Sequence, residues 1–255
     1  NVLLTCAGRR VSLLRAFRRA IQNFKNSKIM AADCDPTAPA LIEADEAIIL
    51  PCVTSDEYVE ELLNICKRKK IDLVIPLIDP ELPLLAKNKD VFLEIGCTVA
   101  ISSPETVNIG NDKFATWKFF TSNNIPTAQT YTQEEFGTNL KKQKIKLPVI
   151  IKPRWGSGSQ GITRCDNEEQ LSFYISTQKD AIIQEMLFGS EVTIDILGDG
   201  KGGLLSLIPR KRLKVRGGEV ERGITVHMEL FFNYVAKIVE ILKPFGAINV
   251  QCFAT

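Results

Sequence analysis

The sequence predicts an α/β protein, a doubly wound parallel sheet at the N-terminus followed by an α+β body. Three observations predict it. Short apolar runs alternate with helix-period segments through about the first hundred residues. A Ser103-Pro104 step then breaks the rhythm, and from Leu147 onward β-rich segments with glycine-rich turns take over. Strands alternating with helices make a parallel sheet with both faces covered, whereas consecutive strands make antiparallel ones.

The elements follow in order. Val2–Thr5 is a short apolar strand turned by Gly8. Val11, Leu14, Phe17 and Ile21 then repeat at helical spacing. Lys28–Ala32 and Ala47–Leu50 are the next strands, the first ended by Asp33 and Asp35-Pro36. Thr54 or Ser55 can cap a helix from Asp56 to Lys69, with Tyr58, Leu62, Ile65 and Cys66 on its inner face. Ile71–Pro76 and Thr98–Ile101 complete the sheet. Residues 105 to about 125 read as helical, with Phe114, Trp117 and Phe120 as an apolar stripe, and a Lys-rich segment spans Lys141 to Lys146. Val149–Lys152 and Ile162–Cys165 are strands around a loop. Asp166 with Glu169 reads as a capping box for a helix to about Gln178. Ala181–Glu185, Glu191–Leu197 and Leu204–Ile208 are strands, Glu229 to Lys243 is a helix, and a last strand runs through Ala247–Phe253. The expected divisions are an α/β domain over 1–105, a helical linker over 106–146, a lid over 147–209 and the start of a C-terminal subdomain, expected to be incomplete, over 210–255.

Bulk properties exclude several classes. A net charge of +2 gives no general attraction to nucleic acid or membrane. No uncharged apolar run approaches the ~20 residues of a membrane helix, and no cleavage site follows the basic stretch after Gly8. The 7 cysteines are odd in number and include no CxxC pair. They read as reduced and mostly buried, in a cytoplasmic protein. With His227 as the only histidine, no zinc spacing is present.

The densest chemical signal is Gly156-Ser157-Gly158-Ser159-Gln160-Gly161. It matches G-x-G-x-x-G, but a dinucleotide fingerprint must open a helix directly after a strand. Here a strand at 162–165 intervenes, so the loop is expected at a hairpin tip. Free backbone N–H groups there can close over phosphate oxygens, and a plain surface hairpin has the same pattern. Lys152 ends an apolar strand just before it. Its ammonium must reach an anion or snorkel to water. After the strand at 181–185, the connector from Met186 offers backbone groups and apolar walls to an adenine edge. Glu191 is placed to accept from ribose hydroxyls; a strand–turn–strand core with one edge carboxylate fits equally. At strand period Arg210, Arg212, Lys214 and Arg216 share one face. Three settings suit such a row: a cleft for phosphate and carboxylate, a solvated face, or a nucleic-acid patch. Arg210 and Arg212 are the candidate catalytic cations.

The order Asn111-Asp112-Lys113, Val149–Pro153, the glycine loop, Gln184–Glu191 and Asn249-Val250-Gln251 resembles the ATP-grasp superfamily. Within it the chain is similar to the large subunit of carbamoyl phosphate synthase. Asp33-Cys34-Asp35-Pro36 and Ile75–Leu82 resemble that family's pre-ATP-grasp domain. The resemblance implies that ATP and Mg²⁺ are the cofactors. It places Lys113 and Lys152 on the phosphates and Gly156, Ser157, Gly158, Ser159 and Gly161 in the phosphate lid. Glu185, Met186 and Leu187 meet the adenine, Glu191 the ribose, and Gln251 the metal. The family's remaining metal ligands, a Glu and a Glu-x-Asn-Pro-Arg stretch, are expected beyond Thr255. The implied reaction forms an acyl phosphate from a small carboxylate for attack by an amine. A homodimer is allowed, and neither nucleic acid nor membrane is called for. The alternatives are a non-catalytic nucleotide-binding or regulatory module, and a nicotinamide-dependent oxidoreductase, which Gly8 alone serves poorly.

Overall fold

A computed structural model describes residues 1–138, 146–216 and 219–254. Of the Lys-rich segment only Lys146 falls within them, and the side chain of Arg216 lies outside. The chain divides into two compact units, Asn1–Val107 and Asn108–Thr255.

The first unit alternates strand and helix: β1 (Val2–Leu4), α1 (Val11–Ile21), β2 (Ile29–Asp33), α2 (Pro39–Glu43), β3 (Glu46–Ile49), α3 (Tyr58–Lys69), β4 (Leu73–Ile75), α4 (Leu82–Glu94) and β5 (Thr98–Val99). The strands form one parallel sheet in the order β3-β2-β1-β4-β5. Their run of apolar residues follows from burial on both faces. Val2, Leu4, Ile29 and Ala31 pack with Leu14 of α1 and Leu41 of α2. Leu3, Met30, Ala32 and Val74 pack with Leu62, Ile65 and Leu85 from α3 and α4. Strand order reverses between β1 and β4, the doubly wound arrangement. Helix α3 starts at Tyr58 rather than Asp56, and no side chain caps it. The Ser55 hydroxyl accepts only from the Glu57 amide, at 3.3 Å.

A polar knot ties β4 to α3. Glu81 is fully buried. Its carboxyl group accepts from the Tyr58 hydroxyl at 2.6 Å and from the amides of Leu77 and Ile78 at 2.6 and 3.1 Å.

In the second unit, residues 105–125 are two helices rather than one: α5 (Pro104–Asn111), which begins before the unit's boundary, and α6 (Lys113–Ser122). Asp112 breaks them, because its extended backbone and side-chain acceptor cap α6 through the amides of Phe114 and Ala115. Next come β6 (Thr130–Thr132), α7 (Gln133–Thr138), β7 (Val149–Pro153), β8 (Thr163–Cys165), α8 (Glu168–Thr177) and β9 (Ala181–Glu185). These strands make an antiparallel sheet, β6-β9-β7-β8. The expected helical linker therefore contributes a strand to the lid sheet. Val149, Ile151, Cys165, Ala181 and Ile183 pack on Phe136 and Leu171 from α7 and α8. The cap of α8 is Asn167, not Asp166. Asn167 Oδ1 accepts from the Gln170 amide at 2.9 Å, and Gln170 Oε1 accepts from the Asp166 amide at 2.8 Å. The expected capping box is not formed: the Gln170 side chain reaches the amide of Asp166, not that of the cap residue Asn167.

The last elements are β10 (Ser190–Asp199), β11 (Leu204–Arg216), β12 (Glu219–Thr225), α9 (Phe232–Leu242) and β13 (Phe245–Ala254). They form a second antiparallel sheet, β12-β11-β10-β13. The expected division at 209/210 falls inside β11, which pairs with β10 and β12 along its length. One face of this sheet, with Val192, Ile194, Ile196, Ile248 and Val250, packs on Phe231, Val235 and Val239. The other face is polar. All seven cysteines are free; Cys66, Cys97 and Cys165 are buried, but Cys34 and Cys52 are exposed, so burial is less general than expected. Among the described residues no helix is long and apolar enough to cross a membrane.

Replacing Glu81 with Ala leaves a buried hydroxyl and two amides without their acceptor. At about 1–3 kcal/mol for each stranded group, the expected loss is several kcal/mol. Tyr58→Phe should cost about 1–2 kcal/mol, since both amides keep their acceptor. Urea unfolding of the two variants measures the difference.

Candidate active site

The glycine loop is the tip of the β7–β8 hairpin, since Ile151 pairs with Thr163 and residues 154–162 connect them. Gly156, Ser157, Gly158, Ser159 and Gly161 are all exposed there. Gly161 is required twice over: its φ is +69°, and a Cβ would meet Pro153 Cγ at 2.8 Å.

Lys152 lies on the face of the lid sheet away from α8, because alternation puts Val149 and Ile151 on the core side. Its Nζ donates to Gln184 Oε1 at 2.7 Å. Gln184 Nε2 donates to Thr130 Oγ1 at 2.8 Å, and that hydroxyl donates to the Ala128 carbonyl at 2.9 Å. Three strands thus hold one amide with its oxygen turned to the lysine. Burial, and secondly the charge of Lys113, push the Lys152 ammonium down to about 8 from the ordinary 10.5. Lys113, first residue of α6, donates from Nζ to the Gly156 carbonyl at 2.6 Å and to the Arg154 carbonyl at 3.4 Å. The two predicted phosphate lysines are therefore neighbours at the root of the predicted lid.

Glu185 ends β9. Its amide donates to the Gln129 carbonyl at 2.8 Å, and its Oε2 accepts from the Gln129 amide at 3.2 Å. Met186 and Leu187 follow, half-buried, in the four-residue connector to β10.

The polar face of the second sheet collects Glu191, Thr193 and Asp195 from β10, Arg210 and Arg212 from β11, and Asn249 and Gln251 from β13. Here the candidate cations Arg210 and Arg212 both have partners. Arg210 makes a two-point pair with Asp195, Nη2 to Oδ1 at 2.8 Å and Nε to Oδ2. Arg212 donates from Nε to Thr193 Oγ1 at 2.9 Å and sits 3.0 Å from Glu191 Oε1. Lys214 pairs with Glu221. Register shifts on either side of Lys214 also end the regular alternation. An antiparallel neighbour places side chains about 5 Å away, so a charged row is neutralised wherever the facing strand carries acids. The catalytic candidate Arg212 and the ribose candidate Glu191 thereby turn out to be partners. The face continues into an open depression of about 290 Å³ lined by Asp195, Leu197, Ser206, Ile208 and Asn249.

Sequence reasoning gave no role to Asp112, Arg154, Gln184 or Asp195. Gln184 and Asp195 are polar side chains on strands, and Asp112 and Arg154 stand at element ends, but the partner of each lies 15 to 42 residues away. Among the described residues, no three His, Cys, Asp or Glu side chains converge as a metal site. Gln251 is exposed and offers one neutral oxygen. That fits one ligand among others, since Mg²⁺ held through substrate phosphates ordinarily takes one or two carboxylates as well.

A doubly wound parallel sheet followed by two antiparallel sheets is a fold shared with carboxylases and ligases of known structure. The biotin carboxylase domain of Hydrogenobacter thermophilus 2-oxoglutarate carboxylase, solved with MgADP and bicarbonate, superposes with a TM-score of 0.78 at 17% identity, over 98% of this chain and 60% of that one. N5-carboxyaminoimidazole ribonucleotide synthetase from Thermotoga maritima gives 0.72 at 18% identity, over 100% and 64%. This chain belongs to the ATP-grasp family: residues 110–250 match the ATP-grasp domain, and residues 2–100 match the PylC-like N-terminal domain. The carbamoyl-phosphate synthase of Methanobrevibacter smithii is 28% identical over 135 residues, and a D-alanine–D-alanine ligase of Corynebacterium aurimucosum is 28% identical over 138. These alignments take in 51% and 52% of this chain but 36% of each relative.

The Lys152 shift has a signed consequence. Folding lowers the pKa of a base, so between pH of about 8 and 10.5 the unfolded chain holds the extra proton, and this group's contribution to stability rises across that window. NMR titration of the lysine side chains should show one midpoint near 8. Lys113→Met should raise that midpoint but leave it below 10.5, because burial is the larger cause.

Proposed function

We propose that this protein is an ATP-dependent ligase that activates a small carboxylate as an acyl phosphate for attack by an amine or similar nucleophile. The observation that carries the reading is the pair of ammonium groups, Lys113 and Lys152, at the root of a glycine hairpin in an ATP-grasp chain. Two close cations, one of them already depressed in pKa, are stabilised by a polyanion between them. Each can donate a charge-assisted hydrogen bond to a phosphate oxygen.

In this reading the free amides of Gly156–Gly161 and the hydroxyls of Ser157 and Ser159 close over the phosphates. The backbone at Glu185 and the side chains of Met186 and Leu187 receive the adenine. Glu191, oriented by Arg212, accepts from the ribose hydroxyls. Mg²⁺ would draw charge from the phosphates, with Gln251 as one of its ligands. A carboxylate oxygen of the substrate attacks the γ-phosphorus, and ADP leaves with the bridging electron pair. The amine then adds to the acyl carbon and inorganic phosphate departs. The work of the chain is positioning and charge stabilisation, which dominate phosphoryl transfer. Within this class the reading favours a carbamoyl phosphate synthase-like substrate, supported by the likeness to the M. smithii enzyme.

The test is titration of the full-length protein with a non-hydrolysable ATP analogue and Mg²⁺. Saturable binding is expected, weakened about ten- to a hundredfold by Lys113→Met or Lys152→Met, as suits a lost bond of about 1.5–3 kcal/mol. Affinity should also fall as pH rises through about 8, where Lys152 loses its charge. No saturable binding ends the proposal. Binding without carboxylate-dependent ADP formation would leave a non-catalytic nucleotide-binding module. Glu191→Gln should bring the affinities for ATP and 2′-deoxy-ATP together, a comparison that isolates the ribose contact.

A further inference from the structure

The Asp112 carboxylate joins two structures. It caps α6, accepting from the amides of Phe114 at 2.9 Å and Ala115 at 3.2 Å. It also takes both arms of Arg154, Nε to Oδ1 at 2.8 Å and Nη2 to Oδ2 at 2.5 Å. Burial alone would raise this carboxyl, but the bonds from Arg154 and the two amides outweigh it and hold it below the usual range.

Arg154 follows β7 directly and stands two residues before the first loop glycine. Its amide donates to the Asp180 carbonyl at 3.0 Å, and its carbonyl accepts the Lys113 amide at 3.2 Å. Its guanidinium lies 4.8 Å from the Trp155 ring and 5.4 Å from Phe114. It is therefore held through its backbone, through the fork to Asp112 and beside two aromatic rings. Beyond it the hairpin is exposed, and Gly156 has a φ of +98° that favours glycine. The hinge of the loop falls between a fixed Arg154 and a permissive Gly156.

Capping does not require this pair, since Asn caps a helix as well as Asp. What the two-point fork adds is orientation: it fixes the first residue of α6, Lys113, against the root of the loop. We propose that Asp112 and Arg154 form a positioning latch for the glycine loop, and that Lys113 exchanges the Gly156 carbonyl for a phosphate oxygen when nucleotide binds. This rests on the ATP reading and adds residues and a movement to it. In the resting state the Lys113 ammonium tethers the loop by its first glycine. An arriving phosphate draws that ammonium away, and the freed hinge lets the loop fold over the same phosphate. Anion binding and loop closure become one event.

The experiment uses full-length protein carrying Arg154→Gln, Asp112→Asn or Arg154→Lys. Amide hydrogen exchange at Lys113, without nucleotide, reads the latch directly. Calorimetry with a non-hydrolysable ATP analogue and with adenosine reads its effect. Arg154→Gln and Asp112→Asn should speed Lys113 exchange and weaken the analogue at least about tenfold, while adenosine affinity stays within twofold of the parent. Arg154→Lys, which keeps charge but not the fork, should fall between. A merely structural role would lower both affinities together. Should Arg154→Gln unfold, Asp112→Asn retains the cap and decides. Analogue affinity within twofold of the parent in both variants, or equal losses for analogue and adenosine, overturns the latch alone. A parent protein that binds no nucleotide overturns the ATP reading and the latch with it.

Discussion

An ammonium group on a buried strand must be solvated by something, and the candidate site is organised around that demand. Lys152 leaves the core side of β7 and is met by Gln184, whose amide is oriented by Thr130 from a third strand. A neutral oxygen satisfies one of its three donors and none of its charge. Lys113 stands near enough to repel it. Lys152 is thus met by an amide oxygen, and Lys113 donates to two backbone carbonyls. Two cations so placed would be relaxed by an anion, which is what the proposed phosphate role asks of them.

The second sheet solves the opposite problem. Its polar face carries arginines and acids on adjacent strands, and cross-strand spacing pairs them: Arg210 with Asp195, Arg212 with Glu191. Such pairs are worth little as stabilisation where they are exposed. Their value is geometric. Glu191, held by Arg212 at one oxygen, presents the other in a constant direction, as the proposed hydroxyl contact would require. Core packing on the far face, through Val192, Ile194 and Val239, makes the strand rigid enough for that direction to matter.

The two units differ in how local their chemistry is. In the first, every strand meets neighbours brought back by one helix, and the one buried acid, Glu81, finds two of its donors within four residues. In the second, the working groups are brought together over distance: Asp112 and Arg154 lie 42 apart, Lys113 and Gly156 43, Lys152 and Gln184 32. Each of these contacts depends on the antiparallel register of β9 with β7 or on the cap of α6, so a slip of one residue would turn Lys152 into the core.

Period and turn chemistry determined much from the sequence alone. The alternation of Val2–Leu4, Ile29–Asp33 and Leu73–Ile75 with amphipathic helices required a covered parallel sheet, because an apolar strand must bury both faces. The glycine run between two β-like segments required a hairpin tip, because no helix could begin there. Lysine at 152 called for a polar partner, because an unsolvated ammonium is intolerable, and Gln184 supplies one. Tertiary structure alone decided which charges are free. Arg210 and Arg212 stood in a cationic row whose setting the sequence left open and are engaged by acids from β10, while Asp112 and Arg154 were given no role and are joined. Side-chain charge is a property of one residue, but its availability depends on what the facing strand brings within about 5 Å, and that distance is set by register.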